Sequence, residues 1–91
     1  MTTEELKHDL KEKIIKYLNY LSISPDEIGD DMPLFGTGLG LDSIDSIELV
    51  VMLEREYGIK IEDPKVGRKI LVDVNTIANF IETHRAENVQ K

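Results

Sequence analysis

The chain has 91 residues, of which 41% are hydrophobic and 32% charged; eighteen acidic against eleven basic residues give a net charge of −7, and there is no cysteine. That length provides for one small core, the lack of cysteine excludes disulfides and thiolate metal sites, and helix packing is left to carry the fold. The acidity repels nucleic acid and anionic lipid and favours partners with basic surfaces. The start Met1-Thr2-Thr3-Glu4-Glu5 lacks a basic region followed by an apolar run, and no stretch is apolar for long enough to span a bilayer, so a cytoplasmic protein with no membrane insertion is expected.

Leu6, Leu10, Ile14, Tyr17, Leu18 and Leu21 recur at three- and four-residue intervals, the spacing of one buried helical face. Thr2 and Glu5 form a capping box ahead of it, which predicts a first helix over about residues 3–21. From Ser22 to Leu41 the chain is irregular, with Pro25, Gly29, Pro33, Gly36, Gly38 and Gly40. Ile23, Ile28, Leu34, Phe35 and Leu39 can pin this long loop down, and a loop of such length more often signals function than slack.

Asp42 can cap a second helix over about 43–57, with Asp45 at its third position and Gly58 at its end. Glu62-Asp63-Pro64 reads as a cap with proline at the first helical position, opening a short third helix over about 64–69 that Gly67 weakens. Asp73 caps a fourth over about 74–84, with Val74, Ile77, Ala78 and Ile81 facing inward and Phe80 beside them. No stretch alternates like a strand, so the expected fold is all-α. It is a single-domain four-helix bundle with a long loop between the first two helices and a short third helix, and a monomer.

At about 100° per residue, Leu49, Val50, Leu53 and Tyr57 form the core face of the second helix, while Ile44, Ile47 and Val51 fall on another arc. A bundle this small has no obvious second layer to cover that arc, so it is expected to stay at least partly exposed, the alternative for any one of these residues being that it packs under the long loop. Asp42, Asp45, Glu48 and Glu54 lie around it, and apolar anchors with a charged border suit a partner offering a groove and a basic rim. Ser43, relieved of capping by Asp42, is free to point outward at the helix start. A hydrolase serine would need an adjacent base; neither His8 nor His84 is tied to Ser43 by a motif, and the Gly-x-Ser-x-Gly elbow is absent. Gly36-Thr37-Gly38-Leu39-Gly40 lacks the spacing of a nucleotide loop, Asp30 and Asp31 lack the ligand pattern of an EF-hand, and the two histidines lack metal-ligand spacing, so no metal site is expected.

The stretch Gly40-Leu41-Asp42-Ser43-Ile44-Asp45-Ser46-Ile47-Glu48-Leu49 resembles the carrier-serine motif of the acyl carrier proteins, in which an Asp-Ser-Leu triplet opens the second helix. Here the triplet reads Asp42-Ser43-Ile44, and isoleucine keeps the apolar anchor. The resemblance runs from Leu6 to about His84. It implies that a phosphopantetheinyl transferase moves 4'-phosphopantetheine from coenzyme A to Ser43, making a phosphoprotein that carries acyl groups as thioesters and catalyses nothing alone. It also implies delivery to acyl-loading and acyl-processing enzymes with basic docking surfaces, in fatty-acid, polyketide or related biosynthesis. Recognition then falls to Asp42, Ile44, Asp45, Ile47, Glu48, Val51 and Glu54, and Phe35, Leu49, Leu53, Ile77 and Ala78 line a space for the acyl chain, although each also reads as ordinary core. Lys65, Arg68 and Lys69 depart from the acidic third helix of many family members, and the motif is closer in style to carriers of specialised pathways. An aminoacyl carrier of the D-alanyl type, or an unmodified acidic adaptor, stays open beside the acyl carrier.

Overall fold

The computed structural model describes residues 2–18 and 22–89, and its architecture is helical. Helix α1 spans Thr3–Tyr17. It opens on a capping box: the Glu5 amide donates to the Thr2 hydroxyl at 3.1 Å, and the Thr2 amide donates to the Glu5 carboxylate at 2.8 Å. Two amides with no partner inside the helix are thereby satisfied. Leu6, Leu10, Ile14 and Leu18 are buried and Tyr17 is half-buried, as the spacing requires. The helix ends sooner than residue 21, because Leu18 leaves helical geometry at φ −105°, ψ 67°. Its amide still donates to the Ile14 carbonyl at 2.9 Å, so Leu18 keeps its place in the core without another turn. Leu21, assigned to the same stripe, lies outside the described residues.

The long loop contains one 3₁₀ turn at Pro25–Glu27 and is anchored in three ways. Ile28, Leu34 and Leu41 are buried, with Ile23, Phe35 and Leu39 packed against the core. Backbone hydrogen bonds join it to the far end of the chain, the Leu34 amide to the Val72 carbonyl at 2.9 Å and the Asn75 amide to the Asp30 carbonyl at 3.0 Å. Asp30 also accepts from Lys11 Nζ at 2.6 Å, with Lys7 Nζ at 3.8 Å. The loop folds on itself so closely at Gly38 that a Cβ there would stand 1.7 Å from the Pro33 carbonyl oxygen. Glycine is what permits the approach. Phe35 and Leu41 meet as an isolated bridge, the only strand-like pairing among the described residues, and this delivers the chain to the start of the next helix.

Helix α2 spans Ser43–Tyr57 and stops at Gly58, whose φ of 69° is left-handed. Helix α3, Pro64–Ile70, is capped by Asp63, which accepts from the Lys65 amide at 2.9 Å. Helix α4 spans Val74–Val89, capped by Asp73, which accepts from the Thr76 amide at 2.7 Å. It continues beyond residue 84, the end expected from its inward stripe of Val74, Ile77, Ala78 and Ile81. Helix α1 packs on both α2 and α4, and α3 packs on α4. The core lies among Leu6, Leu10 and Ile14, Leu49, Met52 and Leu53, and Val74, Ile77, Ala78 and Ile81. At roughly 1.5–3 kcal/mol for each large buried side chain, this cluster outweighs the loop's hydrogen bonds as the source of stability. Met52 holds an inward position that spacing alone gave to Val50 and Tyr57, both half-buried in the structure.

Candidate functional site

The first turn of α2 is closed by two carboxylates. Asp42 Oδ1 accepts from the amides of Ile44 at 2.9 Å and Asp45 at 3.0 Å, and Asp45 Oδ2 accepts from the Asp42 amide at 3.0 Å. Negative groups at a helix N-terminus are favoured by both its free amides and its dipole. With capping done by Asp42, Ser43 is the first helical residue, and its side chain is exposed. No hydrogen bond from its hydroxyl is found among the described residues. Its carbonyl accepts from the Ser46 hydroxyl at 2.6 Å, which steadies the same turn from within.

The outward arc of α2 carries Ile44 at 69% and Ile47 at 61% exposure, with Asp42, Glu48 and Glu54 also exposed around them. Val51 is half-buried, one turn further along. Asp45 does not belong to this surface. It is 8% exposed, because its carboxylate must turn back over the helix start to reach the Asp42 amide. Its part is to position the turn that bears Ser43.

Ser43 stands at the border of an open cleft of about 620 Å³. Phe35 and Leu41 come to it from the loop, Ile47, Val50 and Val51 from α2, and Ile61 and Leu71 from either side of α3. Asp42, Ser43 and Ser46 form one polar border, and Glu62, Asp63 and Arg68 another. Of the side chains expected to line an acyl space, Phe35 alone lines this cleft. Leu49, Leu53, Ile77 and Ala78 are fully buried in the core instead. The reason is geometric: Leu49 and Leu53 lie on the arc of α2 that joins the core, where α2 packs on α1, whereas Val50 and Val51 line the cleft with residues from either side of α3. Leu41, Ile61 and Leu71 are apolar lining that sequence spacing does not single out, and Val50 is lining that spacing gives to the core face. Two isoleucines flanking Lys60 were the available signal, but nothing local says what they face.

The histidines lie away from the cleft lining. His8 Nε2 is 3.7 Å from Glu12, and His84 Nδ1 is 3.1 Å from the Phe80 carbonyl oxygen. Among the described residues no group of three or more His, Asp or Glu is arranged to hold a metal ion, and no helix is long and apolar enough to cross a membrane.

Comparison with known proteins covers most of the chain. Residues 8–83 match the family described as the phosphopantetheine attachment site. The chain is 38% identical over 74 residues to an acyl carrier protein of Sulfurovum sp., a match covering 81% of this chain and 91% of that one. It is 34% identical over 79 residues to an acyl carrier protein of Zymomonas mobilis, covering 86% and 97%. An acyl carrier protein of Wolinella succinogenes is 32% identical over 77 residues, covering 85% and 93%.

Proposed function

The chain belongs to the acyl carrier proteins, a family of carriers with a 4'-phosphopantetheine prosthetic group, and on that premise we propose that Ser43 is the residue that bears the group. The observation that carries the assignment is the division of labour at the start of α2: Asp42 caps, Asp45 braces, and the exposed Ser43 hydroxyl is left available.

The surroundings of Ser43 fit such a group. A phosphodiester joined there meets the positive end of the α2 dipole, an attraction that the two aspartates reduce. An arm leaving the site finds the apolar cleft of Ile47, Val50, Val51, Ile61 and Leu71 beside it. Once attached, the group supplies the thiol that a cysteine-free chain lacks and holds acyl groups through it. The chain's own residues do the rest: the capping box holds Ser43 in register, and the cleft walls offer an apolar lining away from bulk water.

The exposed Ile44 and Ile47, bordered by Asp42, Glu48 and Glu54, support docking of partner enzymes with basic rims. Apolar anchors would supply affinity while the carboxylates speed encounter and set orientation. In this reading the chain is acted on by a phosphopantetheinyl transferase and then by acyl-loading and acyl-processing enzymes of fatty-acid, polyketide or related biosynthesis, and it catalyses nothing alone. The match to an attachment-site family favours this over an unmodified adaptor. The names of the relatives favour acyl over aminoacyl cargo.

The experiment is intact mass after incubation with coenzyme A and a promiscuous phosphopantetheinyl transferase. The chain gains the mass of one phosphopantetheine, and Ser43→Ala gains none. Gain by the alanine variant would move the attachment to another residue.

A further inference from the structure

Among the described residues, Arg68 is the sole cationic side chain that lines the cleft. It stands on α3, exposed to solvent, and faces a lining that is otherwise mainly apolar. The two carboxylates on its border have other partners. Asp63 accepts from the Lys65 amide at 2.9 Å, and Glu62 lies 3.9 Å from Lys60 Nζ. Among the described residues, no ion pair within 4.0 Å involves Arg68. The lysines of α1 differ: Lys7, Lys11, Lys13 and Lys16 each have a carboxylate within that distance.

A guanidinium is planar, always charged and suited to grip two oxygens at once. Beside apolar walls its attraction for an anion is screened less than in open water. A purely hydrocarbon occupant would need no such cation at the border. An occupant with an anionic oxygen group would use it, and Ser43 lines the same cleft, so anything tethered there is presented at high effective concentration.

We propose that Arg68 binds an anionic oxygen group belonging to whatever occupies the cleft. Two sources share that chemistry: the phosphodiester joining the arm to Ser43, and a carboxylate at the far end of a dicarboxylic acyl cargo. The proposal rests on attachment at Ser43 and assigns α3 a role in holding the arm or selecting the cargo.

The full chain, labelled with ¹⁵N-arginine, is loaded by a promiscuous phosphopantetheinyl transferase using coenzyme A, butyryl-coenzyme A or succinyl-coenzyme A, and intact mass verifies each product. The Arg68 Nε–Hε resonance shifts on loading, and its exchange with water slows several-fold. A change in all three forms identifies the phosphodiester; a change in the succinyl form alone identifies the cargo carboxylate. In the first case Arg68→Gln moves the ³¹P resonance of the loaded chain while Arg68→Lys keeps part of the wild-type position, and added salt weakens the effect. An Arg68 signal that is the same in the unloaded and all three loaded forms overturns the proposal and leaves attachment standing. A chain that gains no mass overturns both.

Discussion

Asp42 and Asp45 each accept the other's backbone amide at 3.0 Å, so the turn that presents Ser43 is closed by two reciprocal hydrogen bonds. Asp42→Ala removes the acceptor for two amides and is expected to lower stability by about 1 kcal/mol, whereas Asp42→Asn retains most of it. Urea unfolding checks this: the midpoint falls for the alanine variant with the slope unchanged. Asp45→Ala frays the same turn, and slower phosphopantetheinylation at unchanged overall helicity would show that the brace positions Ser43.

Gly38 tests how tightly the long loop is folded. A Cβ at Gly38 would overlap the Pro33 carbonyl oxygen at 1.7 Å, while a Cβ at Gly29 meets nothing closer than Met32 Cβ at 3.5 Å. Gly38→Ala is expected to cost roughly 1–3 kcal/mol or more, because backbone must move. Gly29→Ala, without positive φ, should fall within about 1 kcal/mol of wild type and can stabilise by restricting the unfolded chain. Equal denaturation midpoints for the two variants would contradict the close approach.

Ile47 and Leu53 separate surface from core on one helix. Ile47 is 61% exposed and Leu53 is fully buried. Leu53→Ala should lose about 2–5 kcal/mol of stability. Ile47→Asp should leave the circular dichroism and midpoint nearly unchanged yet reduce use by partner enzymes roughly tenfold or more, the effect of losing an interface anchor. Glu48→Lys should act in the same direction, with a stronger dependence on ionic strength.

The Lys11–Asp30 pair contributes an acid-sensitive part of the stability. The hydrogen bond from Lys11, helped by the charge of Lys7, holds the Asp30 carboxyl below its ordinary value of 3.8. A carboxyl lowered in the folded state favours folding fully above that ordinary value, and the contribution disappears as pH falls through the lower folded value. Asp30→Asn should therefore destabilise at neutral pH and match wild type once the medium is acid enough to protonate both states. The pair is partly exposed, so the difference should stay under about 1 kcal/mol. Urea midpoints between pH 7 and the acid limit measure it, and a constant gap across that range would assign the loss to something other than charge.

Much of the scaffold was legible because its signals are local. Thr2 and Glu5, Asp42 and Asp45, Asp63 before Pro64, Asp73 and Gly58 each act on amides or dihedrals within a few residues, and all are found in those roles. Apolar spacing overstates the length of the first helix because Leu18 continues that spacing after the backbone has left the helix. The cleft was legible only at Phe35 and Ser43. Its other walls come from segments far apart in the chain, and helical spacing gives the angle between two side chains without saying what covers either one.

Ser43 at a capped helix start, the exposed Ile44 and Ile47, the need for a thiol from outside the chain and the kinship with carriers follow from the order of the amino acids. Only the tertiary structure decided that Leu49 and Leu53 close the core while Val50 and Val51 face a cleft, and that Arg68 shares that cleft with Ser43. Caps and turns are settled by neighbours in sequence, where a few hydrogen bonds suffice. The facing of each arc of α2 depends on α1, α4, α3 and the long loop packing at once, and that arrangement comes from the sum of many weak contacts across the whole chain.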